Sequence, residues 1–90
     1  MSFAALKIKI MPTSPQVKLE EIRRKSEEKI IKLGGKIEKT EQQEVAFGLK
    51  AIIITLAWPE EQETDLLEKT LQEIPDISST QILDYRRAFG

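Results

Sequence analysis

The sequence predicts a single α+β domain in which two helices pack on one face of a four-stranded antiparallel sheet. Three observations support this fold class. Two apolar segments have the character of strands, two charged segments carry apolar residues at helical spacing, and turn residues separate these segments from one another. The 90 residues suffice for one modest core, because a fold of this size buries only about 60–65% of the surface that its unfolded chain exposes.

The first predicted strand covers residues 4–11. Its apolar residues Leu6, Ile8 and Ile10 alternate with lysines, which is the period of a strand with one buried face. Two prolines, with Thr and Ser between them, follow at residues 12–15. This composition predicts a turn after the strand.

The first predicted helix covers residues 18–33. Leucines and isoleucines recur along it at helical spacing, Ser26 fills a gap on the same face, and most other positions are charged. Gly34 and Gly35 follow directly and predict the end of the helix.

The middle of the chain predicts two further strands of different character. Residues 36–45 are rich in charged residues and glutamine, as is typical of an exposed edge strand. Residues 49–58 are nearly continuously apolar, as is typical of a central strand. The tripeptide Ala46-Phe47-Gly48 links the two strands.

The last part of the chain predicts a second helix and a fourth strand. We expect Thr64 to cap this helix, whose buried face is formed by Leu67, Leu71 and Ile74 before a proline ends it. Extended character returns over residues 77–87.

This order of elements is the ferredoxin-like βαββαβ arrangement. The first and third strands are central in that topology, and here they are the most apolar. We therefore expect one domain over residues 1–90, with the polar second and fourth strands at the edges. No signal peptide and no apolar run long enough to cross a bilayer is evident, so we expect a cytoplasmic protein without membrane contact.

The composition excludes several kinds of active site. The chain has no cysteine and no histidine, which removes disulfides, thiolate catalysis, the commonest general base and the commonest ligands of transition metals. The carboxylates cluster on predicted helix faces, and the paired glycines follow a helix rather than precede one, so they form no phosphate loop. Ser–Lys chemistry stays open on composition alone. We expect no enzyme, no catalytic residues, no cofactor and no metal site.

Two binding functions compatible with this fold are an RNA-binding module and a regulatory module for a small ligand. RNA-recognition domains stack bases on aromatic residues of their central strands, whereas the first strand here presents Lys7 and Lys9 outward. A net charge of −1 also differs from the basic excess of nucleic-acid binders. We therefore expect no direct contact with nucleic acid, and both modules remain as alternatives.

Two short segments suggest a docking function instead. The first is Ala46-Phe47-Gly48, where an aromatic residue lies beside a glycine; taken alone, such an aromatic more often caps a core than forms a docking tip. The second is the carboxyl-terminal segment of residues 85–90, which contains the adjacent Arg86 and Arg87.

Three features together resemble archaeal elongation factor 1-beta, a family related to the catalytic domain of its eukaryotic counterpart. They are Ile10-Met11-Pro12 with Ser14-Pro15 after it, the segment of residues 46–51 that begins Ala-Phe-Gly-Leu, and a last strand that ends in a basic residue. The resemblance covers essentially the whole chain. It implies a ferredoxin-like nucleotide-exchange factor, without a cofactor, for elongation factor 1-alpha, the GTPase that delivers aminoacyl-tRNA.

The resemblance also implies which residues bind the partner. The aromatic residue that matches Phe47, beside Gly48, packs into the GTPase near its switch region in that family. The basic residue that reaches toward the magnesium ion and the phosphates matches Arg87, with Arg86 as its neighbour. The family's eukaryotic members carry lysine there, and this chain continues for three residues beyond Arg87. We expect the chain to act as a monomer.

Overall fold

A computed structural model of the chain describes residues 2–87 and confirms the ferredoxin-like βαββαβ order. A short 3₁₀ turn, Ala46–Gly48, joins the second and third strands. The elements are β1 (Phe3–Pro12), α1 (Leu19–Lys32), β2 (Lys36–Glu44), β3 (Lys50–Pro59), α2 (Thr64–Gln72) and β4 (Ile77–Arg87).

The four strands form one antiparallel sheet in the order β2-β3-β1-β4. The two apolar strands are central, as the sequence predicts, and Ile8 of β1 lies opposite Ile54 of β3. The register shifts twice along the β1–β4 ladder and once along β2–β3. Such bulges twist an edge strand and make it a poorer template for pairing with other chains.

The core lies between one face of the sheet and the two helices. Alternate residues of β1 and β3 point into it, among them Leu6, Ile54 and Trp58, all of which are fully buried. Ile30 of α1 and Leu67 of α2 pack against them in the same cluster. Burying a side chain of this size contributes about 1.5–3 kcal/mol, so this layer supplies most of the stabilisation.

The opposite side of the sheet carries no helix within residues 2–87, and we call it the helix-free face. The two central strands present to it the residues that alternate with the core positions. These residues include Ala5, Lys7, Lys9 and Met11 of β1, and Ala51, Ile53, Thr55 and Ala57 of β3.

Helix α1 packs its predicted apolar face on the sheet, and Ser26 is completely buried at the gap in that face. The chain then turns sharply at Gly34 and Gly35. A Cβ atom on Gly35 would lie 2.6 Å from Cγ2 of Ile30, so a larger residue would force the helix or the strand to shift. No helix within residues 2–87 combines the length and the apolar character needed to cross a bilayer.

The predicted cap of α2 is wrong by one residue. Thr64 is the first helical residue, and the extended residue before the helix is Glu63, which makes no side-chain capping hydrogen bond. The carbonyl of Glu63 accepts the first turn's hydrogen bond from the N–H of Leu66 at 3.2 Å. Asp65 lies in that first turn, where a carboxylate interacts favourably with the helix dipole, so the helix begins without a hydroxyl cap.

Candidate functional site

The turn between β2 and β3 carries an aromatic side chain into solvent. Phe47 is 94% exposed, whereas most other large apolar residues of the described chain are buried or half-buried. The residue therefore does not cap the core, which was the commoner role for an isolated aromatic at such a position. Exposing a phenyl group costs the free protein the burial energy that Phe usually contributes.

The backbone of this turn is strained at the same residue. Phe47 has φ 60° and ψ 37°, and Gly48 after it has φ 74°. The left-handed region costs a residue with a Cβ atom roughly 1–2 kcal/mol, whereas glycine enters it freely. Two hydrogen bonds hold the turn: Val45 N–H donates to the carbonyl of Leu49 at 2.9 Å, and Leu49 N–H donates to the carbonyl of Ala46 at 3.2 Å.

A hollow of about 300 Å³ opens beside Phe47, and we call it the tip hollow. It lies at the end of the helix-free face where the β2–β3 turn passes β1 and β4. Its walls combine the apolar side chains of the turn with residues of the two neighbouring strands. The lining residues are Lys9, Met11, Val45, Ala46, Phe47, Leu49, Ser79 and Gln81.

A second hollow, of about 500 Å³, flanks the turn on the side of α1. Gly48 lines it together with Pro12 and Lys18, which belong to β1 and to the loop that leads into α1. A Cβ atom on Gly48 would meet nothing within 4 Å. The tip of the hairpin is therefore open on both sides, and another protein's backbone can approach Gly48 closely.

Arg86 and Arg87 lie at the opposite end of the sheet. Arg86 pairs with Asp84 of its own strand, with 3.1 Å between Nε and Oδ2. Arg87 lies opposite Ala4 of β1 and lines a hollow with the acidic segment, residues 60–65. No ion pair of 4.0 Å or less joins Arg87 to another side chain within residues 2–87.

The acidic segment is fixed to the core by two hydrogen bonds. The indole Nε1 of the buried Trp58 donates to the carbonyl of Gln62 at 3.0 Å. The side-chain amide of Gln62 donates in turn to the carbonyl of Leu33 at 2.6 Å, just after α1. The surroundings of Arg87 therefore include a well-anchored row of carboxylates.

The structure does not bring the two predicted pairs of partner-binding residues together. Phe47 lies beside Met11 of β1, and Arg87 lies opposite Ala4 of the same strand. Seven residues of strand separate these positions, which at about 3.3 Å per residue is about 23 Å. The candidate binding residues therefore lie near the two ends of β1.

Phe47 and Gly48, the residues predicted from the sequence, are only some of the residues at the β2–β3 end of the sheet. Lys9 and Met11 also line the tip hollow, and so do Ser79 and Gln81 from the fourth strand. The alternation of β1 could have identified Lys9 and Met11, because the odd-numbered residues of this strand must all lie on the face opposite the core. The contribution of β4 could not be read in this way, because its bulges break the alternation.

Within residues 2–87 no three carboxylates are grouped so that they could hold a metal ion. The guanidinium of Arg23 has a raised pKa because it is hydrogen-bonded to Glu20 and Glu27. That cluster lies along α1, and its Glu20 also lines the hollow that flanks the β2–β3 turn.

Comparisons with a family model and with known proteins identify the same family. A model of the EF-1 guanine nucleotide exchange domain matches residues 5–87. Elongation factor 1-beta of Haloarcula marismortui is 35% identical over 83 residues, which is 91% of this chain and 93% of the relative. The Methanocaldococcus jannaschii protein of that name is 35% identical over 85 residues, covering 93% and 96% of the two chains. The one from Methanothermobacter thermautotrophicus is 33% identical over 81 residues, covering 89% and 90%.

Proposed function

The chain belongs to the family of EF-1 guanine nucleotide exchange domains and is a nucleotide-exchange factor, and from this premise we propose that it acts on elongation factor 1-alpha. It promotes the exchange of GDP for GTP on this GTPase during protein synthesis. The observation that carries the docking proposal is Phe47, exposed in a left-handed turn at a cost that folding does not repay. Such strain persists at sites where it serves binding.

The physical requirement for exchange is a difference in affinity. The factor must bind the GTPase more tightly when the nucleotide site is empty, because reciprocity then weakens GDP by the same coupling energy. A thousandfold faster release corresponds to about 4 kcal/mol, at about 1.36 kcal/mol per decade. Burying Phe47 in the partner contributes roughly 1.5–3 kcal/mol, and only the part that differs between the two states counts. A second contributor is therefore needed.

Arg87, with Arg86 beside it, is the proposed second contributor. A cation placed near the nucleotide would compete with the partner's magnesium ion for the phosphates, which would weaken the binding of GDP. Arg87 has no intramolecular ion pair within residues 2–87, so its guanidinium can turn toward a partner without breaking one. Arg86 is held by Asp84, which favours Arg87 for this role.

The separation of about 23 Å constrains how both residues act. If Arg87 reaches the metal and the phosphates, Phe47 contacts a distant part of the GTPase surface. If Phe47 instead lies next to the nucleotide site, Arg87 contacts the distant part. Contacts this far apart, which share no contacting residue, contribute independently to the free energy of binding. The two residues therefore act as separate anchors at the two ends of the sheet.

Release of a fluorescent GDP analogue from elongation factor 1-alpha tests this assignment. Phe47→Ala and Arg87→Ala should each slow factor-stimulated release at least tenfold, and the double variant should show the product of the two effects. Arg24→Ala removes an exposed arginine of α1 and serves as the matched control. Wild-type release rates in folded Phe47→Ala and Arg87→Ala proteins would refute the assignment of these residues.

The remaining parts of the proposal concern the setting of this activity. We propose that residues 1–90 form one exchange domain that works in the cytoplasm as a monomer and catalyses no chemical reaction itself. Family membership does not favour the RNA-binding or ligand-binding alternatives. A gel shift with tRNA at physiological salt separates them cheaply, because a protein with a net charge of −1 should bind tRNA weakly. Tight, salt-sensitive tRNA binding would contradict the proposal.

A further inference from the structure

The tip hollow is a second feature of the Phe47 end and differs from the exposed ring itself. Phe47 forms one wall, and Met11, Val45 and Leu49 supply further apolar surface. A volume of about 300 Å³ is at the lower limit of small-molecule sites, so the hollow suits a protruding side chain better than a cofactor. Because Phe47 projects from the same turn, the tip offers a partner both a protruding aromatic ring and a cavity.

Lys9 gives the hollow a charge preference. It is half-buried on the helix-free face, and its neighbours across the strands are Ile53 and Gln81, neither of which is acidic. Like most lysines of the described chain, Lys9 forms no ion pair within residues 2–87, so its charge is available to a partner. Covering the ammonium group of this lysine with an apolar surface is costly unless the incoming surface provides a carboxylate.

The same chemistry disfavours two other occupants. A second copy of this chain could insert its own Phe47, but the residues beside that ring are Ala46 and Gly48, which bring no carboxylate to Lys9. A nucleic-acid backbone would bring phosphates to Lys9 but would leave the apolar wall of the hollow uncovered. An apolar side chain with an acidic neighbour on a protein satisfies both parts of the hollow at once.

We propose that the tip hollow receives an apolar side chain of elongation factor 1-alpha and that a carboxylate next to that side chain pairs with Lys9. This inference rests on the proposed function and adds to it the face used for docking and the chemistry of the partner's surface. At this end of the sheet the GTPase then lies against the helix-free face. Lys9 acts as a specificity residue, and Ser79 and Gln81 form the polar rim.

Two substitutions test the hollow without touching the core. Lys9→Glu reverses the charge, and Lys32→Glu makes the same change in net charge at an exposed position of α1. Ser79→Trp fills the hollow from an exposed position of β4, and Ser78→Trp places the same bulk at the neighbouring exposed residue, which does not line it. Circular dichroism checks that all four variants are folded.

Calorimetric titration into nucleotide-free elongation factor 1-alpha provides the readout. Lys9→Glu and Ser79→Trp should each raise Kd at least tenfold, while both controls stay within twofold of wild type. The effect of Lys9→Glu should shrink in part at 0.5 M salt, because salt screens a partly buried charge interaction less than an exposed one but still weakens it. The effect of Ser79→Trp should persist, because it is steric.

The outcomes separate this inference from the proposed function. If the wild-type chain does not bind the GTPase, the proposed function itself fails. If wild type binds, Phe47→Ala binds weakly, and both hollow variants bind like wild type, only the present inference is overturned. A weakened Ser79→Trp with a normal Lys9→Glu overturns the acidic character of the partner. Dissociation of a dimer by either variant in sedimentation assigns the hollow to a second copy and also overturns the inference.

Discussion

Replacing Phe47 by glycine should separate two effects of this residue. One is the backbone strain that it causes in the free protein, and the other is the affinity that its side chain adds to binding. The substitution removes a Cβ atom from a residue at φ 60°, which relieves roughly 1–2 kcal/mol of left-handed strain. Glycine also gives the unfolded chain more freedom, which offsets about 0.4–1 kcal/mol of that gain. The side chain is 94% exposed, so almost no burial is lost. We expect the free energy of unfolding to rise by about 0.5–1 kcal/mol, which corresponds to about 2–8 °C in Tm.

The same substitution should weaken binding to elongation factor 1-alpha. Losing the burial of one Phe ring, about 1.5–3 kcal/mol, raises Kd on the order of 10- to 100-fold. Urea denaturation measures the stability, and calorimetry against the nucleotide-free GTPase measures the affinity. Phe47→Ala is the matched control, because it removes the ring but keeps the strained Cβ, so it should bind as poorly without the gain in stability. A Phe47→Gly protein that is less stable than wild type, or that binds equally well, would refute the reasoning.

The remaining predictions concern the core and are measured by urea denaturation. Gly35→Ala should lower the free energy of unfolding by about 1–3 kcal/mol, because the added Cβ would lie 2.6 Å from Cγ2 of Ile30; an unchanged stability would show that helix and strand can separate at no cost. Ser26→Ala should raise it by about 1 kcal/mol, because the buried hydroxyl has no hydrogen-bond partner within residues 2–87; a loss of stability would indicate an ordered water there. Gln62→Ala should lower it by about 1 kcal/mol through loss of the 2.6 Å bond to the carbonyl of Leu33, and no loss would mean that this bond is replaced by solvent.

The fold was predictable because the apolar residues of its strands and helices recur at the regular spacing of each structure. Leu6, Ile8 and Ile10 fix the buried face of β1 through simple alternation, and the buried Ser26 occupies the position that the helical spacing of α1 assigns to the core. The near-continuous apolar character of β3 identified it as central, which fixed the order of the sheet. Local pattern and overall topology agree in these elements.

The site was less predictable because its geometry depends on local exceptions. A left-handed Phe47 contradicts the backbone preference of its residue type, so no propensity rule assigns it. Ser79 and Gln81 join the tip hollow through a strand whose bulges break the alternation. The distance between Phe47 and Arg87 follows from the topology, because the β2–β3 turn and the end of β4 lie at opposite ends of the sheet.

We expect this chain to hold elongation factor 1-alpha more tightly when the nucleotide site is vacant. Calorimetric titration of the wild-type chain into the nucleotide-free and the GDP-loaded GTPase, at equal salt and magnesium, measures this difference directly. A thousandfold acceleration of release requires a Kd lower by about three decades for the empty form. Equal affinities for the two forms would contradict the account.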